Sequence, residues 1–181
     1  MPTSTWTNSI DKLTQSFVSE FGKLDASILN KKPNATTWSV AQNIDHIIAV
    51  NRTYFDVPNA VRSGQYKLPF MAKLGFMVRF FGNFILKSVA PDRKKKIRTF
   101  PIWEPSQSDI SADIVQRFVE HQEELKKLIT SSRDLLERGT VISSPANKNI
   151  VYTIDKAFDI IVAHEWRHFE QAKEVLEQIK N

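Results

Sequence analysis

Two histidines set four residues apart, in His164-Glu165-Trp166-Arg167-His168, are the residues of this chain best placed to do chemistry. Side chains at that spacing on a helix share one face, with Cβ atoms about 6 Å apart, so two imidazoles can converge on one ion. Both also fall on an apolar stripe, Ile154, Ala157, Ile161, His164, His168, Ala172, Val175 and Ile179, which turns them inward. A buried imidazole needs a partner, and a metal supplies one to each ring. One histidine on such a stripe reads as a core residue with an ordinary hydrogen bond. A pair at this spacing reads as a metal site. Two protein ligands make a weak site, so a third must come from elsewhere in the chain.

The same five residues match the pattern H-E-x-x-H, in which the glutamate is the general base beside a zinc ion. Glu165 is therefore the candidate catalytic residue, although it projects about 100° round the helix from His164. The protease reading itself carries little weight. Thirteen residues follow His168 in this chain of 181, too few for the long downstream segment that holds the third ligand in that class. Glu174 and Glu177 are expected to be solvated on the last turns. Of the remaining histidines, His121 lies between Phe118 and Leu125 and reads as a core or boundary residue, with support of the site or extra ligation as the alternative. His46 lies well off the centre of its own apolar stripe and reads, from its position alone, as a boundary or surface residue.

These side chains need a scaffold, and four segments have helical spacing. The first runs from about Thr5 to Leu29, with Trp6, Ile10, Leu13, Phe17, Phe21, Leu24 and Ile28 on one face, and is broken by the stretch around Pro33. The second opens at Ser39, where Ser39 and Gln42 form an expected capping box, and continues to about Arg62 before Gly64. The third spans about Ser108 to Gly139. The fourth starts at Thr153, an expected N-cap, and runs nearly to the C-terminus. Between the second and third lies a long crossover, roughly residues 65 to 107. Two helices, a long connection and two more helices predict an all-α four-helix bundle with a crossover, one domain over residues 1–181.

Composition bounds the rest. The hydrophobic share of 41% and charged share of 25% are ordinary for a globular chain. The chain has no cysteine, which excludes disulfides, thiolate zinc sites and a cysteine nucleophile, and is compatible with a reducing cytoplasm. Met1 to Trp6 carry no basic region followed by an apolar core, so no signal peptide is expected. The net charge of +5 invites a nucleic-acid reading, but the cations are scattered and no aromatic-basic recognition motif accompanies them, so no nucleic-acid partner is expected. The one dense run, Arg93-Lys94-Lys95-Lys96-Ile97-Arg98, reads as a solvated loop, with an anion-binding patch as the alternative.

Two motifs then meet a known pattern. Trp38-Ser39-Val40-Ala41-Gln42-Asn43-Ile44-Asp45-His46 resembles the second-helix signature of the DinB-like superfamily, with a histidine eight residues after the tryptophan. Ala163 to Gln171, with its H-x-x-x-H core, resembles that family's last-helix signature. The resemblance covers essentially the whole chain and implies a metal-binding bundle whose three ligands fall on His46, His164 and His168. It also implies a homodimer. The family includes thiol S-transferases that use low-molecular-weight thiols such as bacillithiol, with metal-dependent hydrolases among its other members.

Three neutral imidazoles with an open position suit a divalent ion, zinc or nickel first, that activates water or a thiol. The expected activity is transfer of a low-molecular-weight thiol to a small electrophilic substrate. Hydrolysis is the alternative, and a non-catalytic metal- or ligand-binding module is the reading from a different class. Asn43, Thr53 and Arg167 could line the pocket or orient ligands, although Arg167 reads more simply as a surface ion-pair partner. The crossover's phenylalanine-rich run is interrupted by Lys73, Arg79 and Lys87 and makes a poor transmembrane span. Covering the pocket, packing on the bundle or forming a dimer contact is its simpler role, ahead of lying on an anionic membrane surface.

Overall fold

Apolar stripes become helices here, but three of the four break earlier than their periodicity suggests. The computed structural model describes residues 3–92, 99–107 and 109–180. The Arg93–Arg98 run and Ser108, the expected start of the third helix, therefore lie outside the described residues.

The first stripe divides into α1 (Thr3–Phe21) and α2 (Ala26–Asn30). Asp25 restarts the helix by accepting a hydrogen bond from the Ile28 amide at 2.9 Å. The second stripe divides into α3 (Val40–Arg52) and α4 (Val57–Arg62). Pro58 explains that break, because it lacks an amide proton and is tolerated only in a first helical turn. The third becomes α6 (Ile114–Ser131) and α7 (Arg133–Glu137), ending at Gly139, whose φ of 57° is the left-handed conformation that glycine adopts without strain. Gly64, with φ 71°, does the same after α4. Only α8 (Ile154–Lys180) runs unbroken through its stripe.

The crossover is structured. It contains a 3₁₀ turn (Phe70–Lys73), the helix α5 (Gly75–Ser88) and a second 3₁₀ turn (Pro101–Trp103). Helix α5 packs on α8 and on a hairpin absent from the expected fold class, β1 (Val141–Ser144) with β2 (Asn147–Thr153). The all-α expectation holds for a chain that is mostly helical, with this one antiparallel pair added, Val141 opposite Thr153 and an irregularity after Ser143. Gly82 lets α5 sit close: a Cβ there would lie 2.8 Å from Lys156 Cγ and 3.3 Å from Tyr152 Cβ. Thr153 closes β2 rather than standing as a separate cap, and the first amide of α8 is satisfied by the Thr140 carbonyl at 2.9 Å.

The long helices pack in a closed sequence of contacts: α1 against α6 and α8, and α3 against α8 and α6. Their core is two apolar clusters. One is built around Phe17, Phe21, Phe118 and Phe169, the other around Trp6, Ile10, Leu125, Phe158 and Ile161. Polar residues fill the gap. On α6, His121 and Gln122 lie between Phe118 and Leu125; on α8, His164, Glu165 and His168 lie between Ile161 and Phe169. Buried polar groups destabilise unless partnered, so a polar layer between two apolar clusters calls for a function.

Candidate metal centre

The capping box of α3 forms as its sequence predicts. Ser39 Oγ accepts from the Gln42 amide at 3.1 Å, and Gln42 Oε1 accepts from the Ser39 amide at 3.2 Å. Gln42 Nε2 also donates to the Ser106 carbonyl at 2.8 Å, and Asp45 accepts from the Ser106 amide at 2.9 Å. The start of α3 thereby anchors the 99–107 segment over its own histidine. His46 is only 3% exposed, well inside the protein and not at a boundary. Nearly the whole circumference of α3 is covered, so an off-stripe position is still an interior one.

His46, His164 and His168 come together, each offering a ring nitrogen within 4.8 Å of the others. Nε2 of His164 lies 3.2 Å from Nε2 of His46 and 3.0 Å from Nε2 of His168. Nitrogens sharing a tetrahedral ion at about 2.0 Å stand roughly 3.3 Å apart, close to this spacing.

The partners of the outer ring nitrogens decide which atoms carry protons. His46 Nδ1 meets the Trp103 carbonyl at 2.6 Å and must donate to it, leaving Nε2 as a bare lone pair. His168 Nδ1 donates to Asn43 Oδ1 at 2.8 Å. The Asn43 amide is oriented by Nδ2 donating to the Ser39 carbonyl at 2.9 Å, so its oxygen faces the ring. Two lone pairs therefore aim at one nitrogen of His164. A single proton on that nitrogen could satisfy only one of them, and His164 Nδ1 is a buried atom with no hydrogen-bond partner. Three converging nitrogens with two tautomers fixed from behind fit a cation better than they fit one another.

Electrostatics point the same way. Burial lowers the pKa of all three rings, for His164 and His168 well below the usual imidazole range. For His168 the His164 and His46 rings and Arg167 add to that; for His46 the bond to the Trp103 carbonyl opposes it. Neutral imidazoles are the form that binds metal. Trp38 lies against two of the rings, 4.8 Å from His46 and 6.0 Å from His168, nearly parallel to the latter. His46 and His168 are buried, and His164 is partly exposed as a residue although its Nδ1 is buried.

Glu165 occupies a different place. Its Oε1 accepts from Asn51 Nδ2 on α3 at 2.6 Å, and no hydrogen bond among the described residues joins it to the three rings. Burial pushes its pKa up to about 7, against the Asn51 and Gln122 amides; Gln122 lies alongside without closing a hydrogen bond to it. Arg167 is buried, not at the surface, and donates to the Ser88 carbonyl at 3.1 Å and the Ala90 carbonyl at 3.4 Å. Thr53 Oγ1 turns back to the Val50 carbonyl.

Replacing Asn43 with alanine removes the acceptor that orients His168. The expected result is a loss of about 10- to 100-fold in metal affinity with the helical circular dichroism unchanged, read by competition with a chromogenic chelator.

His121 stands apart from the cluster. It stacks on Phe55 at 5.2 Å with planes 5° apart, and neither ring nitrogen has a partner. Burial, with a smaller contribution from Arg52, lowers its pKa to about 4. A histidine depressed below its unfolded value of about 6.5 is stabilising to keep neutral, so its contribution is complete above that pH. It is lost as pH falls toward 4, reaching about 3 kcal/mol. Thermal melts from pH 7 to pH 4.5 should show His121→Phe losing less stability on acidification than the unaltered protein.

A family model described as the DinB superfamily matches residues 9–172. No curated protein and no solved structure matched the chain. The matched span reaches from α1 into α8 and takes in all three clustered histidines, and on that match the chain belongs to the DinB superfamily.

Proposed function

We propose that this protein is a metal-dependent enzyme that transfers a low-molecular-weight thiol, of the bacillithiol kind, to a small electrophilic substrate. The observation that carries the reading is the convergence of three Nε2 atoms, two of them stripped of protons by the Trp103 carbonyl and Asn43. In this reading α1, α3, α6 and α8 form a four-helix bundle, and the polar layer across its middle is the reaction centre.

His46, His164 and His168 would hold a divalent ion of the zinc or nickel type, which supplies the Lewis acidity that turns a thiol into a thiolate near neutral pH. The chain's own residues do the positioning. The Trp103 carbonyl and Asn43 keep two rings turned inward, and Trp38 shields their flank from water. His164, the partly exposed residue of the three, is where thiol and electrophile would approach. Glu165, the candidate base, faces α3, so it acts through the turn of α8 that it fixes between the two histidines. A thiol donor pool belongs to a reducing compartment, which places the work in the cytoplasm. The homodimer that the family implies is the assembly in which it would act.

The test is to load the protein with zinc or nickel, add bacillithiol or cysteine with monochlorobimane, and follow the thioether product. Sulfur displaces chloride from carbon, and the thiol proton is released to buffer. Metal-dependent product formation above the uncatalysed rate supports the reading. A metal-loaded protein that accelerates transfer of no thiol contradicts it.

A further inference from the structure

We propose that the outward face of α5 is a contact surface for an anionic lipid bilayer. The helix has two faces with different work. Its inner face, with Val78, Gly82 and Ser88 buried and Ile85 and Leu86 packed on the second apolar cluster, holds it to β2 and α8. Its outer face carries Phe76, Phe80 and Phe84, spaced by four and therefore aligned. These rings are 62%, 58% and 56% exposed, and the Phe80 and Phe84 rings stack on each other at 6.1 Å. The fold does not use them. Three large aromatics aligned in water are an apolar patch that marks an interaction site.

The charge around the patch identifies what it fits. From Lys67 to Pro91 the chain carries Lys67, Lys73, Arg79 and Lys87, all exposed, and not one aspartate or glutamate. An exposed helix with aromatic rings and cations on the same side can seat the rings at the acyl boundary while the cations meet lipid phosphates. A second copy of this chain fits less well. A two-fold contact would set the same cations against each other, and the cores of protein interfaces are depleted in charge. A protein partner would also need a groove shaped to this convex ridge, whereas a lipid layer deforms around it. None of the described helices is long and apolar enough to cross a membrane, so the contact is with its surface.

At the end of α5 the Ser88 carbonyl accepts a hydrogen bond from Arg167, the residue before His168. A docked protein would therefore hold its metal centre close to the bilayer. The docking itself does not depend on the chemistry of that centre.

Co-sedimentation of the full-length protein with vesicles tests the inference, using equal parts phosphatidylglycerol and phosphatidylcholine beside phosphatidylcholine alone. The expected result is binding to the anionic vesicles only, weakened as salt rises. Binding should fall at least tenfold in the triple variant Phe76→Ser, Phe80→Ser, Phe84→Ser and also in Arg79→Glu with Lys87→Glu. Because these side chains point outward, melting temperatures should match the unaltered protein. Phe80→Trp gives an independent reading: its emission should shift to the blue with anionic vesicles. Three results would overturn the inference. They are no binding to anionic vesicles at low salt, binding that both multiple variants leave unchanged, and a dimer in sedimentation velocity that the phenylalanine variant dissolves. The last would assign the face to a second copy.

Discussion

His168→Ala should abolish both metal retention and turnover while leaving a folded protein. The substitution removes one of three nitrogens and strands Asn43 Oδ1, which now receives the His168 proton at 2.8 Å. Lewis-acid assistance is worth several kcal/mol, and about 4 kcal/mol corresponds to roughly a thousandfold in kcat/KM. Thermal melts give a second readout. With zinc at about a hundred times its dissociation constant, the unaltered protein should gain about 2.7 kcal/mol, or roughly 5–10 °C in Tm, and the variant almost nothing. In chelator the two should melt within a few degrees of each other, because the apolar packing of both clusters is left in place. A variant that unfolds in chelator while the unaltered protein does not would point to a packing role for His168.

Phe17→Ala should produce the largest loss of stability among single substitutions in the core. The ring is fully buried and meets Phe118 at 4.4 Å, Phe169 at 5.1 Å and Phe21 at 5.5 Å, so it joins α1 to α6 and α8 at one point. Truncation of a phenylalanine in such a place costs about 4 kcal/mol, lowering Tm by roughly 10 °C in a chain of this size. Its functional consequence follows from Phe169, the residue after His168. Loosening the edge contact between Phe17 and Phe169 frees the turn of α8 that aims His168, so metal affinity should fall although Phe17 touches no ligand. Phe17→Leu, which keeps most of the volume, should show a small part of both effects.

The four long helices were legible because each carries an apolar stripe at helical spacing. Leu24 and Ile28 continue the spacing of Phe17 and Phe21, which hid the end of α1 at Phe21; both remain partly buried, Leu24 from the connection and Ile28 from the separate short helix α2. Helix α5 was not legible as a helix. The exposed Phe76, Phe80 and Phe84 are as apolar as the inner-face residues Val78 and Ile85, so the buried face could not be picked out from the sequence. The hairpin escaped because its apolar runs, Val141-Ile142 and Ile150-Val151-Tyr152, are short and sit between longer helical stripes. Their β-branched content was the available signal.

At the site, the spacing of His164 and His168 was readable from helix geometry alone. His46 was not, because the stripe rule assumes one buried face and α3 is covered on nearly all sides. Asn43 could be singled out as a residue to line the pocket or orient a ligand, but the sequence could not say that its partner is His168. The Trp103 carbonyl left no trace, since a main-chain acceptor belongs to every residue and only the fold brings this one to His46. Glu165 matched a motif by its letters, yet its side chain is turned toward Asn51 by its position on the helix.

Elemental mass spectrometry of untagged protein, beside the His164→Ala variant, tests the metal centre most directly. The prediction is about one divalent ion per chain, lost in the variant while the helical circular dichroism persists. No ion in the unaltered protein after reconstitution with zinc and with nickel, together with an unchanged fold in the variant, would contradict the account and leave the three histidines as core residues.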